Sequence, residues 1–160
     1  KLSIRQEDLR INGHSIEVRV CAEDPANNFL PDIGTLSVYK TPAGPGVRVD
    51  DSFEEGMDIP IYYDPMISKL IVHAASRTEA IAKMIRAIDD YRIVGVETTL
   101  EFCKYVLKHE AFVSGKFDTG FIGRYFKPEE LAPKNADNTI AAIAAAILFP
   151  APATRASETP

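Results

Sequence analysis

Glu17 and Arg19 are the two residues of this sequence whose types and spacing could act on a small ligand. They flank Val18, and residues two apart on a β-strand point to the same side. The guanidinium of arginine stays charged and donates forked hydrogen bonds to carboxylate-like or enolate-like oxygens. The same pair would also suit an ordinary solvated strand, where an exposed ion pair contributes little to stability. The two residues alone therefore leave open a surface strand or the wall of a cleft.

The segment that carries this pair has the pattern of a half-buried strand. From about Ser15 to Ala22 apolar and polar residues alternate, which predicts one packed face and one polar face. Residues 35–40 alternate again, and residues 47–50 return after a turn rich in Pro and Gly, so the two segments are predicted to form a hairpin. Residues 67–74 are predicted to form a further apolar strand.

Two amphipathic helices are predicted in the second half. Ser76 and Glu79 fit a capping box, and four apolar residues then follow at i, i+3, i+4 and i+7. Thr98 and Glu101 repeat the capping pattern before a second helix that ends near His109. Strands followed by helices favour an α+β domain, with a small and mostly antiparallel sheet, over a doubly wound fold.

Composition and length fit one globular domain. The 160 residues are 46% apolar and 26% charged, and 18 Lys+Arg against 23 Asp+Glu give a formal charge of −5. Scattered basic residues argue against nucleic-acid binding. No apolar run approaches the roughly 20 residues of a membrane span, and the first residues lack the apolar region of a secretory signal. Because the chain opens without an initiator methionine, we expect it to be a piece of a larger protein.

The other polar residues suggest neither a metal site nor an activated nucleophile. The two cysteines are far apart in sequence, which favours a reducing, cytoplasmic location over a disulfide framework. Cys103 lies on an apolar helix stripe, and Cys21 has no histidine near it in sequence to activate its thiol. The turn at residues 44–46 lacks the pattern of a phosphate loop. Structural or surface roles are expected for the three histidines, His14, His73 and His109.

Several motifs, taken together and in order, resemble the C-terminal domain of biotin carboxylase over about residues 2–126. The matching segments are Gly13–Arg19, Ala22–Pro25, Phe29–Pro31, Gly46–Asp50, Tyr63–Leu70, Gly95–Thr99 and Phe112 through Ile122. The likeness is strongest to the biotin carboxylase subunit of acetyl- or propionyl-CoA carboxylases, and pyruvate carboxylase is a near relative. Thr99 departs from the pattern, because the family usually has asparagine there.

The resemblance implies part of an ATP-dependent ligase that uses bicarbonate and ATP to carboxylate biotin on a carrier protein. ATP and its Mg or Mn belong to an ATP-grasp domain that this chain lacks, so the chain would supply one wall of the active site and would be inactive and cofactor-free alone. The implied partners are that ATP-grasp domain, the biotin carboxyl carrier, the carboxyltransferase components and a second copy in a homodimer. A non-catalytic assembly module and a pyruvate carboxylase parent remain as alternatives.

The resemblance also assigns individual residues. Arg19 matches the catalytic arginine that stabilises the enolate oxygen of biotin as N1 loses its proton, a kind of contact worth ~3–4 kcal/mol when one donor is removed. Phe121 and Ile122 match a segment that closes over the adenine end of the nucleotide pocket. Pro45 and Arg48 match positions at the homodimer interface.

Asp64 matches a position expected in a structural ion pair, and no residue is assigned to a metal. The predicted domain covers residues 1–126. An alanine-rich stretch predicts a helical extension over residues 127–149, and a segment rich in Pro, Ala, Ser and Thr predicts a flexible linker or tail over residues 150–160.

Overall fold

The fold is known from a computed structural model, which describes residues 3–60, 62 and 64–131. It has seven strands and four α-helices in this part of the chain, which confirms the predicted α+β class. In chain order they are β1 (His14–Cys21), β2 (Glu23–Asp24), β3 (Leu30–Pro31), β4 (Val38–Lys40), β5 (Val47–Asp51), β6 (Met66–Ala74), α1 (Arg77–Asp90), β7 (Arg92–Val94), α2 (Leu100–Lys108), α3 (Glu110–Val113) and α4 (Phe121–Tyr125).

The main sheet has three antiparallel strands in the order β1-β6-β5. The central strand β6 is the most apolar, and its residue Leu70 lies between Val18 of β1 and Val49 of β5. Leu70 is fully buried because α1 covers the apolar face of the sheet. The sheet therefore has two edges, one formed by β1 and the other by β5.

The predicted hairpin between residues 35–40 and 47–50 is wrong. β4 pairs with β7, and β5 pairs with β6, so the turn between β4 and β5 connects two different sheets. Turn residues stop a strand, but they do not choose its partner. Val47 and Val49 gain more by lying opposite Val72 and Leu70 of the long apolar strand β6.

Helix α1 forms as predicted, because its cap and its apolar stripe agree. The Ser76 hydroxyl accepts a hydrogen bond from the Glu79 amide at 3.3 Å. The buried face presents Ile81, Met84 and Ile88 to the sheet. This helix holds β6 and β1 in place from below the sheet.

Tyr91, which ends α1, joins the main sheet to the β4–β7 pair. Its hydroxyl lies 2.8 Å from that of Ser68 on β6 and 2.8 Å from that of Tyr39 on β4. The Tyr39 hydroxyl also donates to the carboxylate of Asp51 on β5 at 2.9 Å. Burial raises the pKa of both tyrosines, so the chain of hydroxyls stays protonated.

The predicted extension and tail fall mostly outside the described residues. Of the extension, residues 127–131 are described, and Pro128–Glu130 forms a short 3-10 helix there. The rest of that segment and all of residues 150–160 lie beyond the described ranges. Within those ranges, no helix has the length and apolar character needed to cross a membrane.

Candidate functional site

Glu17 and Arg19 lie side by side on the exposed face of β1, as the alternation predicts. Ile16 and Val20 are buried beneath them, and Val20 is fully inaccessible. Within the described part of the chain, neither Glu17 nor Arg19 forms an ion pair. The guanidinium donors of Arg19 therefore remain available to a ligand.

An open cleft of about 270 Å³ runs between β1 and α2 beside this pair. The residues that line the cleft are mostly apolar and include one acid and one base. They are Ile16, Glu17, Val18, Arg19, Phe102, Cys103, Val106, Leu107 and Phe112. Phe102 is held by edge-to-face contacts with Phe29 and Phe126, each at 4.9 Å between ring centroids. An apolar pocket with a few convergent polar groups is the usual form of a small-molecule site.

Two cations are neighbours on the same face of the sheet. Lys69 of β6 lies directly opposite Arg19, and Asp50 of β5 lies directly opposite Lys69. Like charges opposite each other destabilise a strand pair unless another charge compensates them. On this face the two cations are balanced by Glu17 of β1 and Asp50 of β5, and the adjacent guanidinium and ammonium groups suit an anionic or electron-rich oxygen.

Thr99 closes the free edge of β1 next to Arg19. Its hydroxyl donates to the Arg19 carbonyl at 3.0 Å and accepts from the Cys21 amide at 3.1 Å. The Thr99 amide donates in turn to the Cys21 carbonyl at 3.1 Å. Thr99 is buried, with 6% of its surface exposed.

The prediction that Thr98 caps the second helix is wrong by one residue. Helix α2 begins at Leu100 and its N-cap is Thr99, whose side chain forms no capping hydrogen bond. The hydroxyl bonds to β1 because that edge strand has unpaired backbone groups, whereas the first amides of a helix can also turn to water. No local motif in the sequence signals this contact.

The main sheet changes register at the end of β1. Val20 lies opposite Ser68, but Cys21 lies opposite Met66, which marks a bulge between Val20 and Cys21. Bulges re-aim side chains and are frequent beside functional sites. This one begins one residue after Arg19, within the stretch from Arg19 to Cys21 that Thr99 bonds to.

Glu23 and the two thiols near the end of β1 have raised pKa values. Burial, followed by the charges of Glu23 and Asp64, raises the pKa of the Cys21 thiol to about 11. Burial also raises the pKa of Cys103 to about 12. Both thiols are thus protonated at neutral pH, in agreement with structural roles. Burial and then the Asp64 charge raise the pKa of Glu23.

Asp64 lies near this end of β1 but has no ion-pair partner among residues 3–60, 62 and 64–131. Its carboxylate accepts a hydrogen bond from the Met66 amide at 3.0 Å. The expected ion pair remains a prediction, and a partner for Asp64 would have to come from elsewhere.

Pro45 and Arg48 lie at the opposite edge of the sheet. Arg48 of β5 donates a forked pair of hydrogen bonds to Asp50, at 2.7 and 2.8 Å, and both side chains face solvent. Lys83 of α1 donates to the carbonyls of Pro45 and His73, at 3.1 and 2.8 Å. The turn that carries Pro45 is therefore fastened to the body of the domain.

Phe121 and Ile122 lie on the short helix α4 and do not line the cleft beside Arg19. Phe121 is buried, with ring centroids 5.1 Å from His109 and 5.2 Å from Tyr125. Ile122 is 46% exposed, so of the two it is the residue able to contact a ligand.

The histidines all have hydrogen-bond partners inside the domain. His73 bonds to the carbonyl of Asn12, His109 accepts from the Ala111 amide, and His14 lies 3.4 Å from a nitrogen of Arg77. In the described ranges, no group of three or more His, Cys, Asp or Glu side chains could hold a metal ion. These residues consequently do not fit a magnesium site.

Residues 17–124 match the protein family described as "Biotin carboxylase C-terminal domain". The fold is that of a domain which, in known proteins, is one part of a larger carboxylase. This chain belongs to the biotin carboxylase C-terminal domain family.

Among curated relatives, biotin carboxylase 1 of Bacillus subtilis is 47% identical over 125 residues, which are 78% of this chain and 28% of the relative. The mitochondrial propionyl-CoA carboxylase alpha chain of Homo sapiens is 44% identical over 148 residues, covering 89% of this chain and 20% of the relative. The chain thus spans about a quarter of the length of such relatives.

A solved structure with the same fold is the biotin carboxylase domain dimer of the 2-oxoglutarate carboxylase of Hydrogenobacter thermophilus. It was determined in complex with MgADP, ADP and bicarbonate. It is 40% identical to this chain with a TM-score of 0.78, and the match covers 84% of this chain and 29% of the other.

Proposed function

We propose that this chain is the C-terminal part of an ATP-dependent biotin carboxylase, which carboxylates biotin on a carrier protein with ATP and bicarbonate. The observation that carries the proposal is the position of Arg19, exposed on β1 and without an ion pair in the described ranges, at a cleft with an apolar wall. The chain supplies one wall of the active site, and an ATP-grasp domain of the same protein supplies the other. Alone, the chain has no activity.

Arg19 acts on the ureido group of biotin. When N1 loses its proton, negative charge moves onto the ureido oxygen, and a guanidinium held beside that oxygen stabilises the charge without reorganising. The apolar wall around Phe102 and Val106 lowers the polarity beside the guanidinium, which strengthens this interaction. Lys69, opposite Arg19, adds positive potential on the same face.

The nucleotide and its metal belong mainly to the other domain. The described residues offer no metal cluster, so Mg or Mn would need ligands from outside them. The exposed side chain of Ile122 is the part of α4 that could contact an adenine ring, whereas Phe121 is buried against His109 and Tyr125.

The test is Arg19→Ala in the full-length protein that contains this chain. We expect biotin carboxylation to fall about 100-fold or more, while bicarbonate-dependent ATP hydrolysis is largely retained, because the arginine contacts biotin and not the nucleotide. Arg86→Ala, at an exposed position on α1, is the matched control. Wild-type carboxylation by Arg19→Ala would refute the role of Arg19.

We further propose that the parent enzyme is an acetyl- or propionyl-CoA carboxylase with separate carrier and carboxyltransferase components, located in the cytoplasm. Relatives include a propionyl-CoA carboxylase alpha chain, and also a pyruvate carboxylase subunit, so a pyruvate carboxylase parent is the alternative. Transfer of carboxyl from the assembled enzyme to acetyl-CoA, propionyl-CoA or pyruvate distinguishes these parents.

A second candidate function is assembly. The strand β5 is an open edge, and the fastened turn with Pro45 projects beside it. Arg48 is exposed there with its donors directed along the strand to Asp50. This edge is suited to contact a second copy of the protein, and such a role is compatible with catalysis at the other edge.

A further inference from the structure

We infer that Thr99 is a positioning residue for Arg19, which sets the place of the guanidinium by holding the backbone of β1 from its free edge. The inference rests on the proposed function of Arg19. It assigns a role in the carboxylation of biotin to a residue that does not itself line the cleft.

The contacts of Thr99 bracket the strand at the position of Arg19. Its hydroxyl bonds to the Arg19 carbonyl at 3.0 Å and to the Cys21 amide at 3.1 Å, on either side of Val20. Because residues two apart present their backbone groups to the same edge of a strand, both bonds lie on the side of β1 that faces away from β6. Together with the bond from the Thr99 amide, they satisfy backbone groups at the edge of β1 that no described strand pairs with.

The bulge makes this support necessary. The register of β1 against β6 shifts between Val20 and Cys21, so the ladder on the inner edge is interrupted one residue after Arg19. On the outer edge the Thr99 hydroxyl holds the two residues that flank Val20. The backbone that carries Arg19 is thus fixed by a side chain where regular pairing ends.

The hydroxyl is chemically suited to this place. It donates to the Arg19 carbonyl and accepts from the Cys21 amide with a single oxygen, which valine, of nearly the same shape, cannot do. At 6% exposure, water has little access to replace it. Loss of the oxygen leaves two backbone groups without partners, and we expect the edge of β1 to shift in response.

A small movement of that edge is enlarged at the end of the long arginine side chain. Catalysis by an oriented charge depends steeply on geometry, and a displacement of about 1 Å can lower the rate about 100-fold. A residue that only stabilises the domain would instead lower every activity in proportion to the folded fraction. The two roles therefore predict different patterns of activity.

The experiment compares Thr99→Val, Thr99→Ser and the control Thr98→Val in the full-length protein. For Thr99→Val we expect kcat for biotin carboxylation to fall about tenfold or more, with KM for ATP and bicarbonate-dependent ATP hydrolysis unchanged. Thr99→Ser retains the oxygen and should restore most of the rate. Thr98→Val should behave as wild type, since the Thr98 side chain makes no hydrogen bond within the described ranges.

Combination with Arg19→Ala separates positioning from other effects. If Thr99 acts through Arg19, Thr99→Val should cause no further loss in the Arg19→Ala background. The same tenfold loss in both backgrounds, or an equal loss of ATP hydrolysis, would overturn the inference. If Thr99→Val does not fold, Thr99→Ser and Thr99→Ala, which differ by one oxygen, serve as the pair, and equal rates would overturn it.

The outcomes also separate this inference from the proposed function. If Arg19→Ala lowers carboxylation and Thr99→Val does not, only the inference about Thr99 fails. If Arg19→Ala leaves carboxylation intact, the proposed role of Arg19 fails, and the role of Thr99 fails with it.

Discussion

The two edges of the β1-β6-β5 sheet share one central strand but differ in what contacts them. At the β1 edge, Thr99 satisfies backbone groups of the strand, and α2 adds an apolar wall beside Arg19. At the β5 edge, the forked pair of Arg48 and Asp50 faces solvent, and no strand pairs with that edge in the described part of the chain.

On the proposed function, the two edges would contact two kinds of partner. A covered edge beside a cleft with an apolar wall suits a small ligand. An open edge lined by charged residues resists unspecific strand pairing but leaves a broad surface for another protein. The arginine near each edge therefore has a different environment: Arg19 has no internal ion-pair partner in the described ranges, whereas Arg48 has one.

Leu70→Ala should damage both edges at once, because Leu70 is fully buried between β1 and β5. The truncation leaves a cavity in the core, and we expect the free energy of unfolding to fall by about 3 kcal/mol. Urea denaturation of the 160-residue chain measures this change. Leu30→Ala, at a leucine that is 55% exposed, is the control. Equal losses for the two variants would show that β6 is not the common support.

Arg48→Glu should affect the β5 edge alone. The substitution places two acids on the same exposed face, at positions 48 and 50, and reverses the charge offered to a second copy. We expect the dimer dissociation constant of the full-length protein to rise about tenfold or more, a usual result of charge reversal at an interface. Sedimentation velocity measures it, with Arg86→Glu as the control. An unshifted dimer would count against an interface at this edge.

Glu23→Gln should give the smallest effect, near the end of β1. Burial and the Asp64 charge raise the pKa of Glu23 in the folded state above its ordinary value of 4.5. The stability contributed by the protonated acid is therefore complete below that value and is lost as pH rises through the folded pKa. Glutamine avoids this loss, so the variant should melt about 2 °C higher than wild type at pH 7.

The same melting curves should converge near pH 4, where Glu23 is largely protonated in both states. Glu54→Gln, in an exposed loop, should show no such dependence on pH. A melting temperature for Glu23→Gln at or below that of wild type at pH 7 would contradict the repulsion between Glu23 and Asp64.

The sequence predicted the elements whose signals are local. The alternation around Arg19 identified β1 and its two faces, and the cap at Ser76 with the stripe from Ile81 identified α1. These patterns reflect burial of one face of a single element, which neighbouring residues determine. The exposed position of Arg19 followed from the same alternation.

The sequence did not predict contacts that depend on distant residues. The turn before Val47 indicated two strand ends but gave no information on their partners, and the hairpin was wrong for that reason. The choice between Thr98 and Thr99 as the cap depended on a strand edge that only the folded domain creates. The apolar wall of the cleft was missed because Phe102 and Phe112 look like ordinary core residues in sequence.

The hydroxyl that bonds to Arg19 lies 80 residues further along the chain, which has a consequence for synthesis. A ribosome makes about 5–20 residues each second, so the outer edge of β1 waits several seconds before Thr99 emerges. During that interval β1 can pair with β6 once residue 74 is available, but its outer edge stays open to other strands. The outer edge of β1 is thus open to aggregation until Thr99 has been synthesised.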